Sequence, residues 1–126
     1  MAELILEPYA VNQRWRLSGG YDNWETLVSE FLETLARRCN ETGKCIIGHI
    51  KALALLPAGG YLRVSVVSPT VAAGVEGSVP MGCTELVFTL NVAVYGLGRE
   101  LLERITGETA DHLSKKWKGG VTIEAI

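Results

Sequence analysis

Residues 84–95 alternate almost without interruption, with Leu86, Phe88, Leu90, Val92 and Val94 in one set and Glu85, Thr89, Asn91 and Tyr95 in the other. A period of two sends successive side chains to opposite faces of a strand, so this spacing predicts a long strand with one core face. A different period governs Trp24, Leu27, Val28, Phe31, Leu32 and Leu35, which fall three and four apart and form one stripe of a helix over 22–42. Asp22 is placed to cap that helix, Glu25 stands three residues on as in a capping box, and Gly43 offers a left-handed stop. Leu101, Leu102, Ile105, Leu113 and Trp117 predict a second helix over 99–117, with Gly107 as its weak point.

The remaining apolar runs are short. Residues 2–7 predict a strand stopped by Pro8, and 13–17 a second strand or its continuation. Residues 44–56 and 61–68 flank Pro57-Ala58-Gly59-Gly60 and predict a hairpin, 75–79 a brief strand, and 121–126 a closing strand. The order is β-α-β-β-(β)-β-α-β within one domain spanning 1–126. Direction bookkeeping along that order fits an α+β, ferredoxin-like two-layer sandwich, with two helices on one face of a mostly antiparallel sheet.

A chain of 126 residues with 48% hydrophobic positions is long enough to hold one core without metals or disulfides. No run of 18 apolar residues is present, so no membrane-spanning helix is expected. Twelve basic residues against fourteen acidic ones leave a formal charge of −2, which gives no drive toward phosphate backbones and excludes a nucleic-acid partner. Cys39, Cys45 and Cys83 are odd in number, widely spaced and without a CxxC pair, which fits a reducing cytoplasm.

Chemistry-bearing motifs are few. Gly43-Lys44 leaves a helix where a phosphate-binding loop would enter one, and Gly96-Leu97-Gly98 lacks the third glycine of a dinucleotide fingerprint. Cys45 and His49 would converge on a helix, but on a strand they stand roughly 13 Å apart, beyond the span of two ligands on one zinc. His112 falls on the flank of the second helix stripe, where partial burial is expected. No catalytic residue, metal or cofactor is assigned.

Strand parity gives the one constellation with chemical content. Leu62, Val64, Val66, Ile46, Ile50 and Ala52 are expected inward, leaving Cys45, Ile47, His49, Lys51, Tyr61, Arg63 and Ser65 outward beside Thr89, Asn91 and Tyr95. His49, Lys51, Tyr61, Arg63, Asn91 and Tyr95 are therefore the candidate ligand-binding residues, suited to a small anion. Ile47, Tyr61 and Tyr95 exposed together point instead to a subunit interface.

The stretch CIIGHIKALALLPAGGYLRVSVVS, with VEGSVP and TLNVAVYGL, resembles a small accessory domain associated with CobW-like GTPases, the cobalamin-synthesis and cobalt-handling proteins. The resemblance covers about residues 45–97. It implies an accessory role near corrinoid or metal metabolism, with a GTPase or a corrinoid protein as partner. The phosphate-binding loop and the Cys-rich metal motif of that family are missing from the sequence, so no residue's role is carried over. The expected function is thus a non-enzymatic accessory or interaction domain that forms homo-oligomers through its open sheet face. The alternative is a binder of a small anionic ligand, or an enzyme, using that same face.

Overall fold

The computed structural model describes residues 6–17, 23–57, 59–80, 82–117 and 121–125. The elements follow in the order β1 (Leu6–Leu17), α1 (Trp24–Glu41), β2 (Ile46–Leu55), β3 (Tyr61–Val66), β4 (Gly74–Ser78), β5 (Glu85–Tyr95), α2 (Arg99–Lys116) and β6 (Val121–Ala125). Two helices and one six-stranded sheet make the α+β class read from the sequence. The sheet runs β4-β3-β2-β5-β1-β6, and every neighbouring pair is antiparallel. Neither helix is long and apolar enough to cross a membrane.

The first strand differs from its expectation. Pro8 does not stop it: Leu6–Leu17 is one continuous strand, with Pro8 opposite Ala93 of β5. Among the described residues the other flank of β1 is paired, by β6, only over Gln13–Leu17, so Pro8 lies on a stretch with an edge on that side, where a missing N–H breaks no described ladder. The expected start of that strand at residues 2–5 lies outside the described residues.

Helix α1 begins at Trp24 with Asn23 in the cap position, two residues later than the sequence suggests, and Asn23 accepts a 2.8 Å hydrogen bond from the Thr26 hydroxyl. The expected capping residue, Asp22, lies outside the described residues. At the other end the helix closes through Thr42 N–H to the Cys39 carbonyl and Gly43 N–H to the Asn40 carbonyl, with Gly43 at φ 75°.

The core is aromatic at its centre. Trp15 of β1 stacks on Phe88 of β5 at 4.7 Å, meets Phe31 of α1 edge-on at 5.2 Å, and lies 5.7 Å from Trp117 just beyond α2. Gln13 is two residues before Trp15 on the same side of β1, and its carbonyl accepts the buried indole N–H at 3.1 Å, so the ring is buried with its one donor satisfied. Trp24 does the same from α1, donating to the Cys83 carbonyl at 2.8 Å. Leu86, Phe88, Leu90, Val92 and Val94 all point into this cluster, as the alternation in β5 predicts. Leu62, Val64 and Val66 of β3 join it, with Ile50, Ala52 and Ala54 of β2.

Strand β2 breaks the expected parity at one point. Its register against β5 shifts between Ile47 and His49, so Gly48 is an extra residue that forms a bulge. A Cβ on Gly48 would come within 2.9 Å of the Ala93 carbonyl oxygen, which is why glycine holds that place. Residues 45–47 are consequently turned over relative to 49–55. Ile46 is 54% exposed, whereas Ile47 packs against the core and Cys45 is half-buried against it. All three reverse the sides expected from strict alternation.

Gly96, after β5, adopts φ 91°, and a Cβ there would collide with the Lys44 carbonyl oxygen. It lets the chain leave β5 and enter α2 beside the start of β2. On α2 itself His112 is exposed, not partly buried, because the helix stripe passes through Thr109, Ala110 and Leu113.

Candidate functional site

The face of the sheet turned away from the aromatic core is built in cross-strand rows. One row reads Ser65, Lys51, Asn91 and Ala10 across β3, β2, β5 and β1. The adjoining row towards Gly96 reads His49, Ala93 and Pro8, and the last reads Ile46, Tyr95 and Leu6. In the opposite direction come Glu76, Arg63, Leu53, Thr89 and Asn12, then Ser78, Tyr61, Leu55, Val87 and Arg14. All six residues singled out from the sequence stand on this face, but they fall into three groups.

His49, Lys51 and Asn91 form the first group, since Lys51 pairs across with Asn91 and His49 lies two positions along the strand. None of the three has a side-chain hydrogen bond or ion pair among the described residues. Tyr61 and Arg63 form the second, on β3. Arg63 lies 3.5 Å from Glu76 and 5.9 Å from the centre of the Tyr61 ring, so its charge is already partnered. That pair is well exposed and contributes at most about 1 kcal/mol. Tyr95 stands apart, flanked by the apolar Ile46 and Leu6.

The first group borders a hollow of about 430 Å³. Its floor is low because Pro8, Ala10 and Ala93 are small side chains on adjacent strands, and taller groups rise around it: Leu6, His49, Asn91 and, from the start of α2, Arg99. Arg99 reaches the hollow past Tyr9, with its guanidinium 5.6 Å from the centre of that ring and its Nε 3.2 Å from Glu103 Oε1. Burial pushes the Tyr9 hydroxyl up from its usual pKa; the Glu103 charge adds to that rise and the Arg99 charge opposes it.

Arg99 and the hollow escaped the sequence reading. The signal available was the run of small residues at Pro8, Ala10 and Ala93, legible only once β1 continues through the proline.

The face also carries a set of paired charges near β6. Arg14 Nε lies 3.0 Å from Glu85, and Arg16 lies 3.8 Å from Glu85 and 3.6 Å from Glu124. These charges cancel locally and leave the His49, Lys51, Asn91 and Arg99 region as the part of the face with donors to spare.

The cysteines lie elsewhere. Cys39 at the end of α1 is fully buried, and its thiol is pushed up to about 12, first by burial and then by the neighbouring Cys45 thiol, to which it is hydrogen-bonded. Cys45 is raised by burial, and its bond with Cys39 acts the other way. Cys83 is buried with its backbone carbonyl bonded to the Trp24 indole, and all three are free thiols. Among the described residues no group of three or more His, Cys, Asp or Glu side chains is gathered to hold a metal ion. Comparison with protein-family models, with curated proteins and with solved structures gives no match to this chain.

Proposed function

We propose that this chain is a non-enzymatic interaction domain that pairs with a second copy of itself through the open face of its sheet. The observation that carries the reading is where the exposed apolar bulk lies. Eight large hydrophobic side chains are exposed among the described residues, and five of them, Leu6, Ile46, Leu53, Leu55 and Tyr61, belong to the outer sheet face. Gathered on one face, such side chains mark an association surface more often than a hydrated one. The row between them with Ser65, Lys51 and Asn91, and the neighbouring His49, supply the hydrogen-bonding groups that a non-obligate interface carries.

The finer architecture belongs to the same proposal. Strands β6-β1-β5-β2 follow the order of a ferredoxin-like split βαβ unit, and β3 and β4 extend it on one side. Buried residues of both helices join one cluster with the inward residues of the sheet, and the helices contact each other, which supports placing both on one face. That arrangement leaves the opposite face open. The free thiols Cys39, Cys45 and Cys83 support a cytoplasmic setting. A role beside a GTPase or a corrinoid protein is supported by the resemblance of residues 45–97 alone.

Light scattering coupled to size-exclusion chromatography tests the reading. A mass of two or more chains at micromolar concentration is expected, and the mass of a single chain across that range would overturn it.

A further inference from the structure

The hollow beside Asn91 has a composition that an interface of matching sheet faces does not require. Its floor is apolar and shallow, formed by Pro8, Ala10 and Ala93, and its rim holds three different hydrogen-bond donors from three elements: His49 of β2, Asn91 of β5 and Arg99 of α2. Arg99 spends its Nε on Glu103, which leaves the N–H groups of its two terminal nitrogens for a further acceptor. Its guanidinium lies between that carboxylate and the Tyr9 ring, which turns its terminal nitrogens towards the hollow's rim. The Asn91 amide and a ring N–H of His49 add further donors, and Lys51, next to Asn91 across the strands, adds positive charge just outside the rim. Among the described residues the one ion-pair partner of Arg99 is Glu103, which does not line the hollow.

We infer that this hollow binds a small monocarboxylate carrying a short apolar tail. The carboxylate accepts from the terminal nitrogens of Arg99, and the tail lies over Pro8, Ala10 and Ala93 against Leu6, with Asn91 and His49 bounding the hollow. Donors alone would favour inorganic phosphate as strongly. The apolar floor is what selects a carboxylate with a tail. The inference does not rest on the proposed pairing of sheet faces.

Titration with pentanoate tests it, followed by amide chemical shifts, with pentylammonium and inorganic phosphate as the comparison probes. Each probe is added to the parent chain and to Leu55→Asp. Leu55 lies on the same face but three rows from the His49 row, so its charge opposes association without touching the hollow. Saturable shifts at Ala10, Asn91 and Ala93 with pentanoate, and none with pentylammonium, are expected in at least the Leu55→Asp chain. Arg99→Gln should weaken binding roughly tenfold or more, as loss of a charge-assisted bond does. Ala10→Leu fills the hollow at an exposed position without removing any donor and should abolish binding while the chain stays folded. No saturable shift in either chain overturns the site. So does pentanoate binding that survives Ala10→Leu, or phosphate binding as tight as pentanoate. Binding in Leu55→Asp but not in the parent would support the site and show that association covers it, so the two proposals fail or stand separately.

Discussion

The guanidinium of Arg99 lies over the ring of Tyr9, 5.6 Å from its centre, and so ties the first turn of α2 to the part of β1 that β6 leaves unpaired. Tyr9 also feels Glu103, the ion-pair partner of Arg99, and the two charges act on its hydroxyl in opposite senses. Removing them separately should move the tyrosine titration in opposite directions. Arg99→Gln should raise it further and Glu103→Gln should lower it, both read from the Tyr9 ring signals in a pH titration. Because the folded-state value lies above the ordinary 10.0, the neutral hydroxyl favours the fold below pH 10, and that contribution is lost as the pH rises through the folded value.

Trp15 joins β1, α1, β5 and the segment after α2, so truncating it should cost more than any other single change in the core. Trp15→Ala empties the space between Phe31, Phe88 and Trp117 and leaves the buried Gln13 carbonyl without its donor. The cavity alone is worth about 3–5 kcal/mol, a large part of a small domain's total stability. Trp15→Phe keeps much of the ring contact and loses the hydrogen bond, and should cost markedly less. Urea unfolding midpoints of the two variants against the parent check the order.

Cys39 and Cys45 should react as unequally as their burial suggests. With its thiol pushed up to about 12, Cys39 carries roughly a thousandfold less thiolate at pH 8 than a cysteine at 9.0. Half-buried Cys45 should therefore be alkylated by iodoacetamide well before Cys39, as peptide mapping of a time course will show. The same raised value gives the fold a contribution that is complete below pH 9 and disappears as pH climbs towards 12. Cys39→Ala should flatten that part of the stability curve.

Much of this architecture is legible in the residue pattern because the strongest signals are periodic. The alternation of Leu86 to Val94 and the helical stripe from Trp24 to Leu35 each bury one side of a regular element, and both elements form where the spacing puts them. Two departures have local causes that periodicity does not carry. Gly48 adds one residue to β2 and exchanges the sides of Ile46 and Ile47, and a single inserted glycine looks like any other position in an apolar run. Pro8 reads as a stop, yet a proline is tolerated on an edge, and among the described residues β6 pairs β1 only from Gln13 onward, which the residue pattern does not reveal.

The candidate site was half visible for a related reason. His49, Lys51 and Asn91 come together through strand pairing, which parity anticipates, whereas Arg63 is occupied by Glu76, a cross-strand partner set by the register of β4. Arg99 enters from a helix, over a strand edge, and no spacing rule links it to Asn91.

The proposal that sheet faces pair is tested most directly by sedimentation equilibrium on two charge variants. Leu55→Asp places a carboxylate on the outer face, and Glu108→Lys alters an exposed position on α2. If the face drives association, Leu55→Asp weakens it by about tenfold or more and Glu108→Lys sediments like the parent. Equal association of all three chains, or a parent that sediments as a single chain, would rule out pairing through this face.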